Sequence, residues 1–269
     1  MKVVDSHTHV ASPAFPTRPT GVGSDWWRSG ATAVDLLAAM DLAGVARAVV
    51  VQAVGPYGYD CACACAAVAA APERLALVVA VDMAGAAPAA DLLAVASVAA
   101  PVRGVRVFGV GGGVGGAAPT WLADGRADAV WEAASSLGIT VVATLFTKDL
   151  AGLGRVVDRH PEVPVALDHC GFPSPGAPVS PELLALAGRP AVHLKVTTHV
   201  LKEAPPVFVR ALVDAFGADR LAWGSDHPQT QGVAYPAMVA LGRAASARLN
   251  PAAREAFLGG TASRLWFGT

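Results

Sequence analysis

Two histidines stand one residue apart near the start of the chain, His7 and His9 in KVVDSHTHV, at the end of the first run that reads as a strand. Side chains alternate along a strand, so the two imidazoles share a face, and Asp5, in step with them, joins that face. Two imidazoles on one side of a strand suit a metal ion or a proton-transfer site. Further along, ionisable residues recur where other short apolar runs end: Arg106 in VRGVRVF, His169 in VALDH, Lys195 and Thr197 in AVHLKVTT with His199 just after, and Asp226 in RLAWGSD. A carboxylate beside imidazoles can take a proton from water, and a guanidinium offers forked donors that suit a carboxylate.

Something must carry these residues to one place. Eight β-rich runs can be read: KVVDSHTH at the start, then runs opening at 47, 75, 102, 139, 163, 191 and 220, with helical stretches between them. Their spacing leaves room for a strand, a turn, a helix and a return loop in each unit. Alternation of this kind implies a parallel sheet, and eight units suggest closure into a (β/α)8 TIM barrel spanning residues 1–269 as one α/β domain. An open doubly wound sheet is the alternative. No GxGxxG turn follows the first strand, which weakens its dinucleotide-binding version.

Parity supports an inward aim for several of the polar groups. Asp226 is in step with Ala222 and Gly224, and Arg106 with Gly104, small partners suited to a crowded interior. Lys195 is in step with His193 and Thr197, which puts its ammonium inside. A buried lysine needs a carboxylate, and Asp226 or Asp5 could supply it. Two loops leaving strand ends are long: residues 10–30, proline- and glycine-rich and ending in Trp26, Trp27 and Arg28, and the glycine run that opens residues 109–120. Either could cover a pocket, with the tryptophans as a substrate wall.

The composition excludes several other classes. With 54% hydrophobic and 15% charged residues the chain is not disordered, and much of its apolar content is alanine. The most apolar stretch, residues 76–100, is broken by Asp82, Pro88 and Asp91, so no membrane helix is read. The first strand begins without a signal-like leader, so cytoplasmic residence is the expectation. A formal net charge of −1 gives no reason to expect nucleic acid or an anionic membrane as partner. The expected partner is a small molecule, with a homodimer open. Cys61, Cys63 and Cys65 read as small helix thiols, since no second ligand cluster follows at zinc-site spacing.

The segments DSHTH, RGVRVF, VALDHCGFP, HLKVTT and RLAWGSDHP, with the closing FLGGTASRLWFG, resemble the strand-end motifs of the amidohydrolase superfamily, in the branch of 2-pyrone-4,6-dicarboxylate and sugar lactonases. The resemblance implies a metal-capable barrel whose site lies at the C-terminal mouth. It implies Asp226 as the base that activates water, and His7, His9 and His169 as metal ligands or carbonyl polarisers. Arg106 would contact a substrate carboxylate or oxygen. Apart from the resemblance, Lys195, Trp26 and Trp27 are read as further substrate contacts, and His199 as a substrate contact or a replacement for a missing ligand. Asp5 or Asp168 would hold histidines in one tautomer. Many metal-dependent relatives carry a histidine at the end of the fifth strand, where this chain has Thr144. His7, His9 and Asp226, with His169 close by, could hold one Zn2+ with an open position, and action without metal stays open. Few arginines follow to clamp a dicarboxylate, so a less charged lactone or related cyclic ester is expected. The alternatives are a decarboxylase or other carbon–carbon lyase, and a barrel that only binds a small molecule.

Overall fold

The computed structural model describes residues 2–20, 26–29, 31–99, 101–110, 116–174, 176–204, 207–230 and 232–268, with the backbone alone at 28, 29 and 203. Part of each long loop, residues 21–25 and 111–115, lies outside the described residues. Eight parallel strands form one sheet in chain order: β1 (Val3–Thr8), β2 (Val45–Val51), β3 (Leu75–Val81), β4 (Val102–Phe108), β5 (Thr140–Thr144), β6 (Val165–Leu167), β7 (Val192–Thr197) and β8 (Leu221–Gly224). All eight runs read from the sequence are strands. Valine dominates β2 and β3, whose last residues are buried on both faces, because a parallel strand has the barrel core on one side and helices on the other.

That division is visible in two packed layers. Val4, Val49, Val51, Ala76, Val78, Val142, Ala166 and Ala222 fill the barrel, and Ala262 and Trp266 of the last helix close its lower end. Trp223, Val105, Leu194 and their outward neighbours pack with the helices in the larger outer layer. Gly104 is required inside: a Cβ there would lie 2.9 Å from the Thr140 carbonyl and 3.1 Å from Val78.

The ring closes between β8 and β1 just beyond the ends of the ladder. The Asp226 amide donates to the His7 carbonyl (2.9 Å) and the His9 amide to the His227 carbonyl (2.8 Å). Closure therefore brings the first and last polar strand ends side by side. Gly224 permits the approach, since a Cβ on it would stand 2.9 Å from both the His7 Cβ and the Ser6 hydroxyl. Among the described residues no helix is long and apolar enough to cross a membrane.

Candidate active site

A bulge in β1 aims the histidines. Asp5 pairs with Ala48 and Thr8 with Val50, both partners lying in the outer layer, so two residues of β1, Ser6 and His7, oppose the single Val49 of β2. The extra residue re-aims the strand, and His7 turns into the barrel. Asp5 does not share its face, contrary to simple alternation. It points to the helix layer, where its carboxylate accepts from the amides of His7 (3.1 Å) and Ser225 (2.8 Å) and from the Tyr235 hydroxyl (2.9 Å). Burial pushes its pKa up to about 6 despite these donors. Asp5 thus anchors the β1–β8 seam and touches neither imidazole.

Inside the barrel, His7 Nε2 and His9 Nε2 lie 3.2 Å apart, and Asp226 Oδ1 lies 3.6 Å from the first and 3.5 Å from the second. The other nitrogen of each ring is engaged. His9 Nδ1 is 2.8 Å from the Val51 carbonyl, and His7 Nδ1 is 3.1 Å from Asp168 Oδ1. The carbonyl beside His9 Nδ1 is an acceptor, so that nitrogen carries the hydrogen and Nε2 presents a lone pair. His7 Nδ1 lies between Asp168 Oδ1 and, at 3.4 Å, Lys195 Nζ, and the nearer carboxylate favours the same tautomer. Asp226 Oδ1 is buried without a hydrogen-bond partner. Three electron-rich atoms thus face one another, an arrangement that a cation among them resolves. Tetrahedral bonds of about 2.0–2.2 Å set neighbouring donors about 3.3–3.6 Å apart, so the triangle fits a zinc-sized ion. His169 joins a different group of ligand atoms, with His7 and Asp168.

Beneath the triangle, Asp168 is a hub. Its Oδ1 faces His7 Nδ1 and, at 3.3 Å, Lys195 Nζ; its Oδ2 accepts from the Thr144 hydroxyl (2.6 Å) and Arg106 Nε (3.1 Å). Burial alone would raise the Asp168 pKa, but Lys195, His7 and Arg106 outweigh it and hold the carboxyl well below its usual range. Burial, with the Lys195 charge adding to it, holds His7 well below the ordinary imidazole value although Asp168 opposes. The partner of Lys195 is therefore Asp168, where the sequence left Asp226 and Asp5 as the choices. Lys195 is fully buried, with the Trp266 ring 5.0 Å from Nζ. It lies under the cluster, with its ammonium between Asp168 and His7 Nδ1.

At the mouth, His169 Nδ1 meets the Thr197 hydroxyl at 2.7 Å, and burial lowers the His169 pKa to about 4. Burial raises the Asp226 pKa less than His169, His9 and His7 lower it, so the carboxylate stays ionised. His169 (φ 53°) and Asp226 (φ 58°) both adopt the left-handed backbone region, as do Cys170 and Phe172. Such conformations are strained in residues other than glycine and concentrate at functional sites.

Aromatic rings border the cluster on two sides. Trp26 stacks on His9 with centroids 6.0 Å apart, and Phe172 packs on His169 at 4.7 Å. Trp27 instead packs partly buried against the outer core. His199 is exposed at the rim, its ring 6.0 Å from that of His169. Arg106 is only 5% exposed, with its Nε edge committed to Asp168 and Thr144 and Nη1 3.4 Å from the Gln52 carbonyl. Among the described residues nothing accepts from its Nη2, which leaves that edge for a ligand. The sequence reading missed Gln52, the polar end of β2: its amide donates to the Gly58 (3.0 Å) and Asp60 (2.8 Å) carbonyls and clamps the following loop. A lone polar residue closing a valine strand was the available signal. Phe172, three residues past the predicted His169, gave none.

A sequence model of the amidohydrolase family matches residues 4–268. The chain belongs to the amidohydrolase family. Among solved structures, a proposed 2-pyrone-4,6-dicarboxylic acid hydrolase from Pseudomonas putida superposes with a TM-score of 0.77 at 26% identity, covering 99% of this chain and 97% of that one. An amidohydrolase from Burkholderia multivorans with bound zinc has a TM-score of 0.77 at 21% identity, covering 98% and 99%. A 2,6-dihydroxybenzoate decarboxylase from Rhizobium has a TM-score of 0.70 at 15% identity, covering 98% of each chain. A search of curated protein sequences returned no match. This amidohydrolase therefore shares its barrel with proteins named for hydrolysis and for decarboxylation.

Proposed function

We propose that this amidohydrolase opens a lactone, or a closely related cyclic ester, bearing no more than one carboxylate. The observation that carries the reading is the buried, unpartnered Asp226 oxygen 3.5–3.6 Å from two imidazole lone pairs. Such a carboxylate is placed to receive a proton from water next to an electrophilic carbonyl. His7, His9 and Asp226 would hold one divalent ion, best matched by Zn2+, and when bound it supplies Lewis acidity toward that carbonyl. His169, kept neutral by burial, takes the Thr197 hydroxyl hydrogen on Nδ1 and offers Nε2–H to the oxygen on which negative charge develops. The free edge of Arg106 anchors a single acidic group.

The charge count supports a monoanion. Lys195 and the inner edge of Arg106 are consumed by Asp168, so among the described residues one guanidinium edge is what remains at the cluster for a carboxylate. A second carboxylate would be desolvated without a partner, at a cost of several kcal/mol. Thr144, at the end of β5, serves Asp168, which disfavours the decarboxylase reading with its additional histidine ligand. The reading is tested by incubating purified protein with a panel of five- and six-membered lactones, neutral, monocarboxylated and dicarboxylated. Ring opening to the hydroxy acid, fastest for a monocarboxylate and without carbon dioxide release, supports it; release of carbon dioxide from a hydroxybenzoate, with all lactones untouched, overturns it.

A further inference from the structure

Beside the histidine cluster the wall of the mouth is hollow. The segment after β6 and the short helix Thr198–Glu203 enclose a pocket of about 220 Å³, lined by Pro173, Ala177, Val200, Ala204 and Phe208, with Ser174 and His199 as its polar members. His199 faces both spaces. It lines the pocket, and its ring lies 6.0 Å from that of His169 and 5.8 Å from that of Phe172. Two larger hollows have no such link: a groove of about 500 Å³ by Leu201, Leu241 and Arg248, and a basin of about 280 Å³ by Arg47, Arg103 and Trp266 at the opposite end of the barrel.

The lining sets what the side pocket can take. Val200 and Phe208 are buried, proline and alanine complete the walls, and among the described residues no charged side chain lines it. An apolar cavity of about 150 Å³ admits a benzene ring, so this volume suffices for a phenyl or branched alkyl group and little more. His199, which lines the pocket, stands 6.0 Å from the His169 ring, about the reach of a substituent on a five- or six-membered ring seated over the cluster.

We propose that this pocket is a specificity subsite for an apolar, ring-sized substituent on the substrate, with His199 at its entrance. The inference rests on the lactonase reading for the identity of the reacting ring. It makes the preferred substrates aryl- or branched-alkyl-substituted lactones.

Binding separates this proposal from the chemistry. Lactams keep the shape of lactones and resist ring opening, so the dissociation constants of pyrrolidin-2-one and 3-phenylpyrrolidin-2-one can be compared by calorimetry on the full chain. The wild type is expected to bind the phenyl compound at least tenfold more tightly. Ala177→Phe fills the pocket from the loop side and Ala204→Leu from the helix side, and each should collapse that ratio to within about twofold of unity. A thermal melt identifies any variant that fails to fold, and the other then decides. A wild-type ratio near one, or a ratio preserved in a folded, filled variant, overturns the proposal. If the ratio behaves as expected while no lactone is opened, the subsite stands and the lactonase reading falls.

Discussion

Lys195→Met is the most informative single change below the mouth. It keeps the length and most of the volume of the side chain over Trp266 but removes the ammonium 3.3 Å from Asp168. Both groups are fully buried, so water cannot take the place of the lost charge. Breaking a buried pair on one side costs about 3–5 kcal/mol, and Arg106 and Thr144, which still serve Asp168 Oδ2, favour the lower end. With an unfolding entropy of about 2.1 cal/mol/K per residue, a chain of 269 residues should then melt about 5–9 °C lower. Differential scanning calorimetry reads this directly. The double variant Lys195→Met/Asp168→Asn removes both charges and should be less destabilised than the sum of the single variants by more than 1 kcal/mol. A melting temperature within 2 °C of wild type for Lys195→Met, or strict additivity of the pair, would refute the hub.

Three further outcomes follow from the same geometry. His9→Ala removes one corner of the His7–His9–Asp226 triangle; elemental analysis of protein purified without chelator should find about one zinc per wild-type chain and less than a tenth of that in the variant. Gly224→Ala forces its Cβ against His7 and Ser6 at 2.9 Å, and turnover should fall at least tenfold with a melting temperature lowered by several degrees, read by assay and calorimetry together. Stability should fall on acidification from pH 6.5 to 4. His169 and His227 have pKa values lowered to about 4 by burial, so the unfolded chain takes up protons in that window while the folded chain does not. His7, also held low by burial, adds to the loss, while Asp5, raised to about 6, offsets about one histidine with a stability that grows as pH falls; a net loss therefore remains, and His227→Asn should flatten the profile.

Much of the architecture was legible in the alternation of apolar runs and helices, because a parallel strand between two hydrophobic layers must be written as a block of valine, leucine and alanine. The convergence of His7, His9, His169 and Asp226 followed from their places at strand ends. What periodicity could not reveal was the bulge at Ser6 and His7. A one-residue irregularity leaves no mark on composition, yet it turns His7 inward and leaves Asp5 on the other face. The pairing of Lys195 depended likewise on a distance between β6 and β7 ends that no local pattern encodes. Asp168 was visible only as one of two candidates to steady a histidine, and the structure places four side chains within 3.3 Å of its carboxylate. Gln52 and Phe172 escaped because a single amide or phenyl ring carries no spacing signal.

The central claim is that Asp226 takes the proton from water. Its most direct test is the turnover of Asp226→Asn on a lactone that the wild type opens, with thermal melts run alongside. The account predicts a loss of at least about 10²-fold in kcat with the barrel still folded, the scale expected for removing a positioned base. Turnover within a few-fold of wild type in a folded variant would contradict it.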